Sequence, residues 1–213
     1  MYSSYTVASF ARKHEIADKP GVNLIGALTW AFEFEDQPYF AGFRVLASND
    51  VDLPVLNIFR MFARMTGTRV EAQSSDQAPL EKVIVNGVRG EPDVGVLASV
   101  EGDRLAAFVW HYHDDDVQGP VASVELEVCG LSWSGEGKLT HYRVDRNHSN
   151  AFEKWKTLGS PQKPTLEQYA ELITASKLTT LEPPKSVVVK DKSMIVFFNL
   201  RRQGASLLLL EKF

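Results

Sequence analysis

Residues 22–30 constrain the fold most, because all of them except Asn23 and Thr29 are apolar or glycine. A strand buried on one face alternates apolar and polar residues, whereas a near-continuous apolar run is typical of a parallel strand covered by helices on both faces. The run ends at Trp30, and an acidic, aromatic stretch that includes Glu35 and Asp36 follows it. We therefore predict a buried strand over 22–30 whose C-terminal end opens into a long loop over 31–52.

A helix is predicted on each side of this strand. Residues 4–18 carry apolar side chains at roughly helical spacing. Residues 53–66 do so too, and their spacing leaves Asn57, Arg60 and Arg64 toward solvent. The order helix, buried strand, long loop, helix is typical of the closing piece of a (β/α)8 barrel.

The pattern changes after Gly67, where short β-branched runs are separated by turn residues. Eight such runs favour an antiparallel β-sandwich, interrupted by a helix–loop–helix insertion at about 147–176. Thr165 and Gln168 form a capping-box pattern at the start of the second inserted helix. The predicted fold class is therefore α/β plus all-β, with the last βα piece of a barrel at 1–66 and a β-sandwich domain at 67–213. The predicted strands are 80–85, 94–100, 104–112, 122–128, 139–144, 186–190, 194–200 and 206–210, and the inserted helices are 149–158 and 165–176.

Composition excludes several classes of protein. The 213 residues carry a net charge of −4, so no basic surface for nucleic acid is expected. No run reaches the ~18 apolar residues that a membrane-spanning helix needs, and the first residues show no signal-peptide pattern. The single cysteine, Cys129, cannot form an internal disulfide, and we expect a buried free thiol.

Four segments of the chain carry a family pattern: Trp30–Phe43, Phe108–Asp116, Asp145–Gln162 and Arg202–Leu208. Together they resemble glycoside hydrolase family 39, which contains the β-xylosidases and α-L-iduronidase, and the second segment resembles the bacterial β-xylosidase branch. The resemblance covers nearly the whole chain in the family's order. It implies a (β/α)8 barrel followed by a β-sandwich with a helix–loop–helix insertion, and it implies no cofactor.

The resemblance implies the activity of a retaining β-xylosidase, which hydrolyses terminal β-D-xylose from xylo-oligosaccharides. Retaining enzymes use two carboxyl groups about 5–5.5 Å apart. The family carries its two catalytic glutamates at the ends of barrel strands four and seven, which we expect to precede Met1, so no catalytic residue is assigned. The chain is then expected to be a fragment or a truncated relative that is inactive alone, from a parent enzyme of the bacterial cytoplasm or periplasm.

The same resemblance assigns three substrate-binding residues. Trp30 would stack on the sugar ring, and Glu35 and Asp36 would bind its hydroxyl groups. The expected partner is a xylo-oligosaccharide or a related sugar, with no nucleic acid and no membrane. We also expect self-association, because the apolar faces of helix 53–66 and strand 22–30 would lack their barrel partners.

Two alternatives remain open. The sandwich could be a non-catalytic carbohydrate-binding or structural module, with Trp110, Tyr112 and Trp133 as candidate aromatics, although strand alternation predicts that Trp110 and Tyr112 pack inward. His111 and His113 share a strand face, and the three aspartates after them could complete a metal site, although such an acidic run is more typical of a solvated turn. His148 is expected to be structural, next to the helix-capping Ser149 and Asn150.

Overall fold

A computed structural model describes residues 2–27, 29, 32–34, 36–42 and 45–213. Its five helices within this part are α1 Tyr2–Asp18, α2 Pro54–Phe62, α3 Leu80–Asn86, α4 Ala151–Thr157 and α5 Leu166–Ser176. Its strands are β1 Ala47–Ser48, β2 Val51–Asp52, β3 Thr68–Val70, β4 Asp93–Glu101, β5 Arg104–Tyr112, β6 Ala122–Val128, β7 Gly135–Val144, β8 Thr179–Thr180, β9 Lys185–Val189, β10 Met194–Leu200 and β11 Ala205–Lys212.

The centre of the fold is a seven-stranded sheet of order β3-β4-β5-β11-β7-β8, with β9 also paired to β7. Each strand pairing within the described residues is antiparallel. The central strand β11 aligns Leu208 with Ala107 of β5 and with His141 of β7. Six consecutive residues of β11 are buried, as expected for a strand covered on both faces.

A two-stranded sheet of β6 and β10 covers one face of the large sheet. Apolar side chains from both sheets meet in one cluster, which includes Val109, Leu200 and Leu208. The alternating burial of β6 and β10 shows that one face of this small sheet points inward and the other toward solvent. The predicted face-to-face packing of two antiparallel sheets is therefore present.

Helices α1 and α2 cover the other face of the large sheet. Val7 of α1 and Ile58 of α2 are fully buried in one cluster with Phe108, Trp110 and Leu207 of the sheet. The first helix, predicted at 4–18, and the second, predicted at 53–66, are thereby confirmed as helices. The apolar side of α2 is packed against the sheet, so it contributes less exposed apolar surface than expected.

The predicted strand at 22–30 is not formed by its described residues. Residues 22–27 form neither a helix nor a strand, and Val22 and Ile25 are 58% and 92% exposed. A buried parallel strand needs a neighbouring strand on each side and helices above and below it. Among the described residues no strand lies beside this segment, so its apolar side chains remain at the surface.

A second error concerns residues 80–85, which form helix α3 rather than a strand. Pro79 precedes the helix with a φ of −59°, and Gly87 ends it with a φ of 67°. These local signals favour a helix start and a helix stop, and they outweigh the β-branched composition of the segment. Only Leu80 of this helix is buried, and Ile84 and Val85 are exposed.

Two further single-residue predictions are wrong. Asn57, predicted to face solvent, is completely buried, and Cys129, predicted to be buried, is exposed. Strands 94–100, 104–112, 122–128, 139–144, 186–190, 194–200 and 206–210 are confirmed, as are the inserted helices. The capping box is also confirmed, since Thr165 N donates to Gln168 Oε1 and Gln168 N donates to Thr165 Oγ1. Within the described part of the chain, no helix is long and apolar enough to cross a membrane.

Candidate functional site

The predicted sugar-binding residues fall on the segment between α1 and β1. Trp30 and Glu35 lie outside the described residues. Asp36 is described: it is exposed, and its φ of 54° places it in the left-handed region that aspartate tolerates better than most residues. Its carboxylate is therefore open to solvent at a turn, as a residue that binds sugar hydroxyls would have to be.

This segment is attached to the β1–β2 hairpin by backbone hydrogen bonds. Phe32 O accepts from Leu46 N at 2.8 Å and from Ala47 N at 3.1 Å. Glu33 Oε1 accepts from Asp50 N at 3.2 Å, so this carboxylate is engaged with the backbone of the hairpin turn. The hollow between this segment and the hairpin, whose lining includes Glu33 and Ala47, is about 10 Å³, which is room for about one water molecule. The described residues alone therefore form no pocket for a sugar ring at this place.

Aromatic side chains connect the loop to the inserted helices. The Phe40 ring lies 5.7 Å from the Phe152 ring and 5.1 Å from the Trp155 ring, centroid to centroid. These distances are typical of aromatic pairs in protein cores. Tyr39 and Phe40 also pack on the cluster of Val51, Ala151 and Leu172, which are buried. This aromatic contact is internal packing. It fixes Phe40, and with it one end of the loop of residues 36–42, here called the candidate loop, against α4.

Both ends of the helical insertion are held by one buried side chain of α2. Asn57 Nδ2 donates to Ser149 O at 3.1 Å and to Ser176 O at 2.8 Å. Asn57 Oδ1 accepts from Arg60 Nη1 at 2.9 Å, so the whole amide group is used. The insertion is thus tied to α2 two residues before α4 begins and at the residue where α5 ends.

The three aromatic candidates of the sandwich are all buried. Trp110, Tyr112 and Trp133 are 0%, 8% and 5% exposed. Trp110 Nε1 donates to Asp93 Oδ2 at 3.1 Å, and Tyr112 Oη donates to an oxygen of Asp114 at 2.8 Å. Burial and this hydrogen bond raise the pKa of Tyr112. These rings cannot form an exposed platform for a sugar, and the prediction that Trp110 and Tyr112 pack inward is confirmed.

The two histidines of the metal hypothesis are engaged in hydrogen bonds within the fold. His111 Nδ1 lies 3.1 Å from Leu200 O, and burial lowers the pKa of His111. His113 Nδ1 accepts from Asp115 N at 3.0 Å, which leaves the other ring nitrogen to donate to Arg89 O at 3.1 Å. The described residues contain no group of three or more His, Cys, Asp or Glu side chains arranged to hold a metal ion. The side-chain contacts therefore favour a structural role for His113.

A larger groove, of about 410 Å³, lies between α1 and the edge strand β3. Arg69 Nη2 crosses it to Asp18 with distances of 2.6 and 2.7 Å to the two carboxylate oxygens. Burial, and next the charge of Arg69, lower the pKa of His14 nearby. The groove contains no predicted site residue.

Most of the chain matches a known protein family. The family model described as Glycosyl hydrolases family 39 matches residues 4–191. The chain belongs to glycosyl hydrolase family 39. The match includes α1, the candidate loop, the helical insertion and most of the sandwich, so the predicted resemblance is confirmed.

Individual relatives and solved structures are similar to this chain over part of their length. A β-xylosidase of Caldicellulosiruptor saccharolyticus is 23% identical over 141 residues, which are 66% of this chain and 26% of that protein. The crystal structure of a monomeric β-xylosidase from Caulobacter crescentus CB15 matches 99% of this chain and 42% of its own, at 19% identity and a TM-score of 0.73. A family 39 enzyme from Xanthomonas axonopodis pv. citri matches 83% of this chain and 34% of its own, at 18% identity and a TM-score of 0.64. The chain therefore spans well under half the length of these relatives.

One family 39 segment has a clear structural role in this chain. Asp145 is buried, and its Oδ1 accepts from Asn147 N at 2.8 Å, from His148 N at 3.0 Å and from His148 Nδ1 at 2.8 Å. Asn150 follows as the N-cap of α4, because its side chain accepts from Glu153 N at 3.1 Å. The expectation that His148 and its neighbours are structural agrees with these contacts.

Sequence reasoning missed two residues that shape this region. Asn57 was assigned to solvent because it is polar and lies opposite the apolar stripe of its helix. Gln162 belongs to a family 39 segment, but no sequence pattern indicates its partner. In both cases the partner lies far away in the chain, so only the folded arrangement could identify it.

Proposed function

We propose that this chain forms the C-terminal part of a retaining β-xylosidase, in which it supports and helps to line the sugar site. The proposal rests on the family match over residues 4–191, together with β-xylosidases of which the chain spans only part. In this arrangement the acid/base and the nucleophile are carried by barrel strands outside these 213 residues. Glu33 accepts a hydrogen bond from the backbone of the β1–β2 turn, which supports a structural and not a catalytic role for this carboxylate.

The finer architecture belongs to the same proposal. Residues 1–66 would be the closing piece of the barrel, and residues 67–213 the sandwich that supports it. The apolar segment at 22–27, which pairs with no strand among the described residues, has the composition of a barrel strand whose neighbours are provided by other residues. Its high exposure is otherwise unfavourable, since burial of a large aliphatic side chain stabilises by about 1.5–3 kcal/mol.

Within this proposal, Trp30 stacks on the apolar face of xylose, and Glu35 and Asp36 bind its hydroxyl groups. The exposed carboxylate of Asp36 supports the part of this assignment that concerns the described residues. The alternative of a carbohydrate-binding sandwich is less favoured, because Trp110, Tyr112 and Trp133 are buried. The sandwich is better explained as a structural support for α1, α2 and the candidate loop.

The first test is hydrolysis of 4-nitrophenyl β-D-xylopyranoside by the purified 213-residue protein. We expect no rate above the uncatalysed background, because two positioned carboxyl groups are required and neither is assigned here. Xylose binding is measured in parallel by ligand-detected NMR. We expect binding that is weakened by Asp36→Ala and unaffected by Asp191→Ala, since Asp191 is also an exposed aspartate with positive φ but lies in the β9–β10 turn.

Each outcome bears on a separate part of the proposal. Hydrolysis with retention of configuration by the purified chain would show that its own residues supply the catalytic groups, against the proposal. An equal loss of xylose binding in both aspartate variants would remove Asp36 from the site. Absence of xylose binding in the wild-type chain would leave it a structural role only.

A further inference from the structure

The contact that carries this inference joins the helical insertion to the candidate loop. Tyr39 N donates to Gln162 Oε1 at 2.8 Å, and Gln162 Nε2 donates to Tyr39 O at 3.4 Å. One amide side chain thereby engages both backbone groups of Tyr39, across 123 positions of sequence. A two-point contact of this kind fixes the orientation of a backbone segment, whereas a single hydrogen bond leaves it free to rotate.

The loop at this point is held in an unusual conformation. Phe40 has a φ of 55°, which is an outlier for a bulky aromatic residue. Its backbone N–H donates to Ser48 Oγ at 2.6 Å, and its ring packs on Phe152 and Trp155. Such strain costs of the order of 1–3 kcal/mol and persists only where the surroundings determine it, and it is concentrated at functional sites.

The part that bears Gln162 is itself firmly built. Trp155 Nε1 donates to Pro161 O at 3.0 Å, which fixes the backbone directly before Gln162. Asn57 holds both ends of the insertion, and the Thr165 capping box closes the start of α5. The insertion can therefore act as a rigid support for whatever its tip contacts.

We infer that the helical insertion, Ala151–Ser176, positions the loop of residues 36–42, and that Gln162 is the positioning residue at its tip. This inference rests on the proposed function, in which Asp36, three residues before Tyr39, binds a sugar hydroxyl. Gln162 does not touch the sugar; it sets the place from which Asp36 acts. Its removal therefore weakens sugar binding through the loop and leaves the fold of the sandwich intact.

The experiment is hydrogen exchange of the 213-residue protein, with residue resolution by NMR. Gln162→Ala is expected to speed exchange of the Tyr39 amide about tenfold or more, because the amide loses its acceptor. Gln168→Ala is the matched control. It removes a glutamine of the same insertion whose two hydrogen bonds with Thr165 form the capping box of α5. We expect this control to speed exchange at the start of α5 and to leave Tyr39 unchanged.

A conservative variant separates positioning from a general structural role. Gln162→Glu keeps an oxygen that can accept from Tyr39 N, and it replaces the donor of the longer bond to Tyr39 O by a second acceptor oxygen. We expect it to restore slow exchange at Tyr39 to within about threefold of the wild type. Xylose binding should follow the same order, with a Kd raised about three- to tenfold in Gln162→Ala and largely recovered in Gln162→Glu.

The results discriminate between this inference and the proposed function. Unchanged exchange of Tyr39 in Gln162→Ala overturns the positioning role, whether or not xylose binds. Faster exchange with an unchanged Kd overturns the link between the loop and the sugar. If the wild-type chain binds no xylose, the sugar site of the proposed function fails, while the exchange comparison still decides whether Gln162 holds the loop.

Discussion

The buried ion pair of Arg12 and Asp93 provides the sharpest test of how the first helix is joined to the sandwich. Asp93 is 0% exposed, and its Oδ1 accepts from Arg12 Nη2 at 2.9 Å and from Ala78 N at 3.0 Å. Its Oδ2 accepts from Trp110 Nε1 at 3.1 Å. The pair crosses the predicted boundary between residues 1–66 and 67–213, so its loss tests whether the two parts unfold together.

The perturbation is Asp93→Asn, which keeps the side-chain shape and removes the charge. The buried guanidinium of Arg12 then lacks its counter-charge. In addition, the N–H2 group of the new asparagine faces at least one of the three groups that donate to Asp93, namely Arg12 Nη2, Ala78 N and Trp110 Nε1. Breaking a buried pair by changing one partner costs about 3–5 kcal/mol. For a chain of this size each 1 kcal/mol lowers Tm by roughly 2–4 °C, so we expect a decrease of roughly 10 °C.

The assay is urea and thermal unfolding of Asp93→Asn, Arg12→Met and the double variant. Because each single change leaves the other group unpaired, the double variant should be less destabilised than the sum of the two by at least about 1 kcal/mol. Glu81→Gln is the control: Glu81 pairs with Lys19 at 2.8 Å at the surface, and its loss should cause no measurable change.

Two results would refute this reasoning. Strictly additive single variants would show that Arg12 and Asp93 do not act as a pair. Two separate transitions, of which Asp93→Asn shifts only one, would show that the helix and the sheet are independent units despite their shared core.

Two other properties can be tested directly. Self-association is expected, because Val22 and Ile25 of an unpaired apolar segment are 58% and 92% exposed. Ile25→Ser should reduce self-association as measured by sedimentation velocity. A wild-type chain that is monomeric at high concentration would contradict this expectation. Stability should also fall on acidification through His141, because burial lowers its pKa to about 4 from an ordinary value of 6.5. As the pH falls, His141 is protonated in the unfolded chain at a higher pH than in the folded chain. The contribution of His141 to the free energy of unfolding is therefore fully present above pH 6.5, and up to about 3 kcal/mol of it is lost as the pH falls toward 4. In His141→Phe, the free energy of unfolding measured in urea should depend less on pH between these values. An unchanged pH dependence would show that other groups cause it.

The sheet was predictable because its signal is local and repeated. Residues 104–112 form an apolar and aromatic run that follows the turn residues Gly102 and Asp103, and they become β5 with the predicted bounds. The start of α5 was predictable for the same reason, since Thr165 and Gln168 lie within one turn of each other. Patterns of this kind are satisfied by neighbours in sequence and need no knowledge of the rest of the fold.

The errors arise where the outcome depends on distant partners. The apolar run at 22–27 has the composition of a buried strand, but a strand forms only where another strand accepts its hydrogen bonds. Asn57 has the position of a surface residue on an amphipathic helix, but two backbone carbonyls about 90 and 120 positions away take up its amide. Asp36 therefore stays a prediction from the sequence, whereas the contact of Gln162 with Tyr39 is visible only in the folded chain.

The same directed contacts explain how a sandwich can influence a loop that belongs to another part of the chain. Apolar packing between α2 and the sheet is non-directional, so it stabilises the contact without fixing its orientation. Hydrogen bonds from Asn57 require a particular orientation of α2 against the helical insertion. The bond of 2.6 Å from Ser4 Oγ to Gln203 requires a particular orientation of α1 against the turn before β11. Asn57 of α2 holds both ends of the helical insertion, and Gln162 of the insertion contacts Tyr39, so α2 and the candidate loop are connected through contacts that each depend on one side chain.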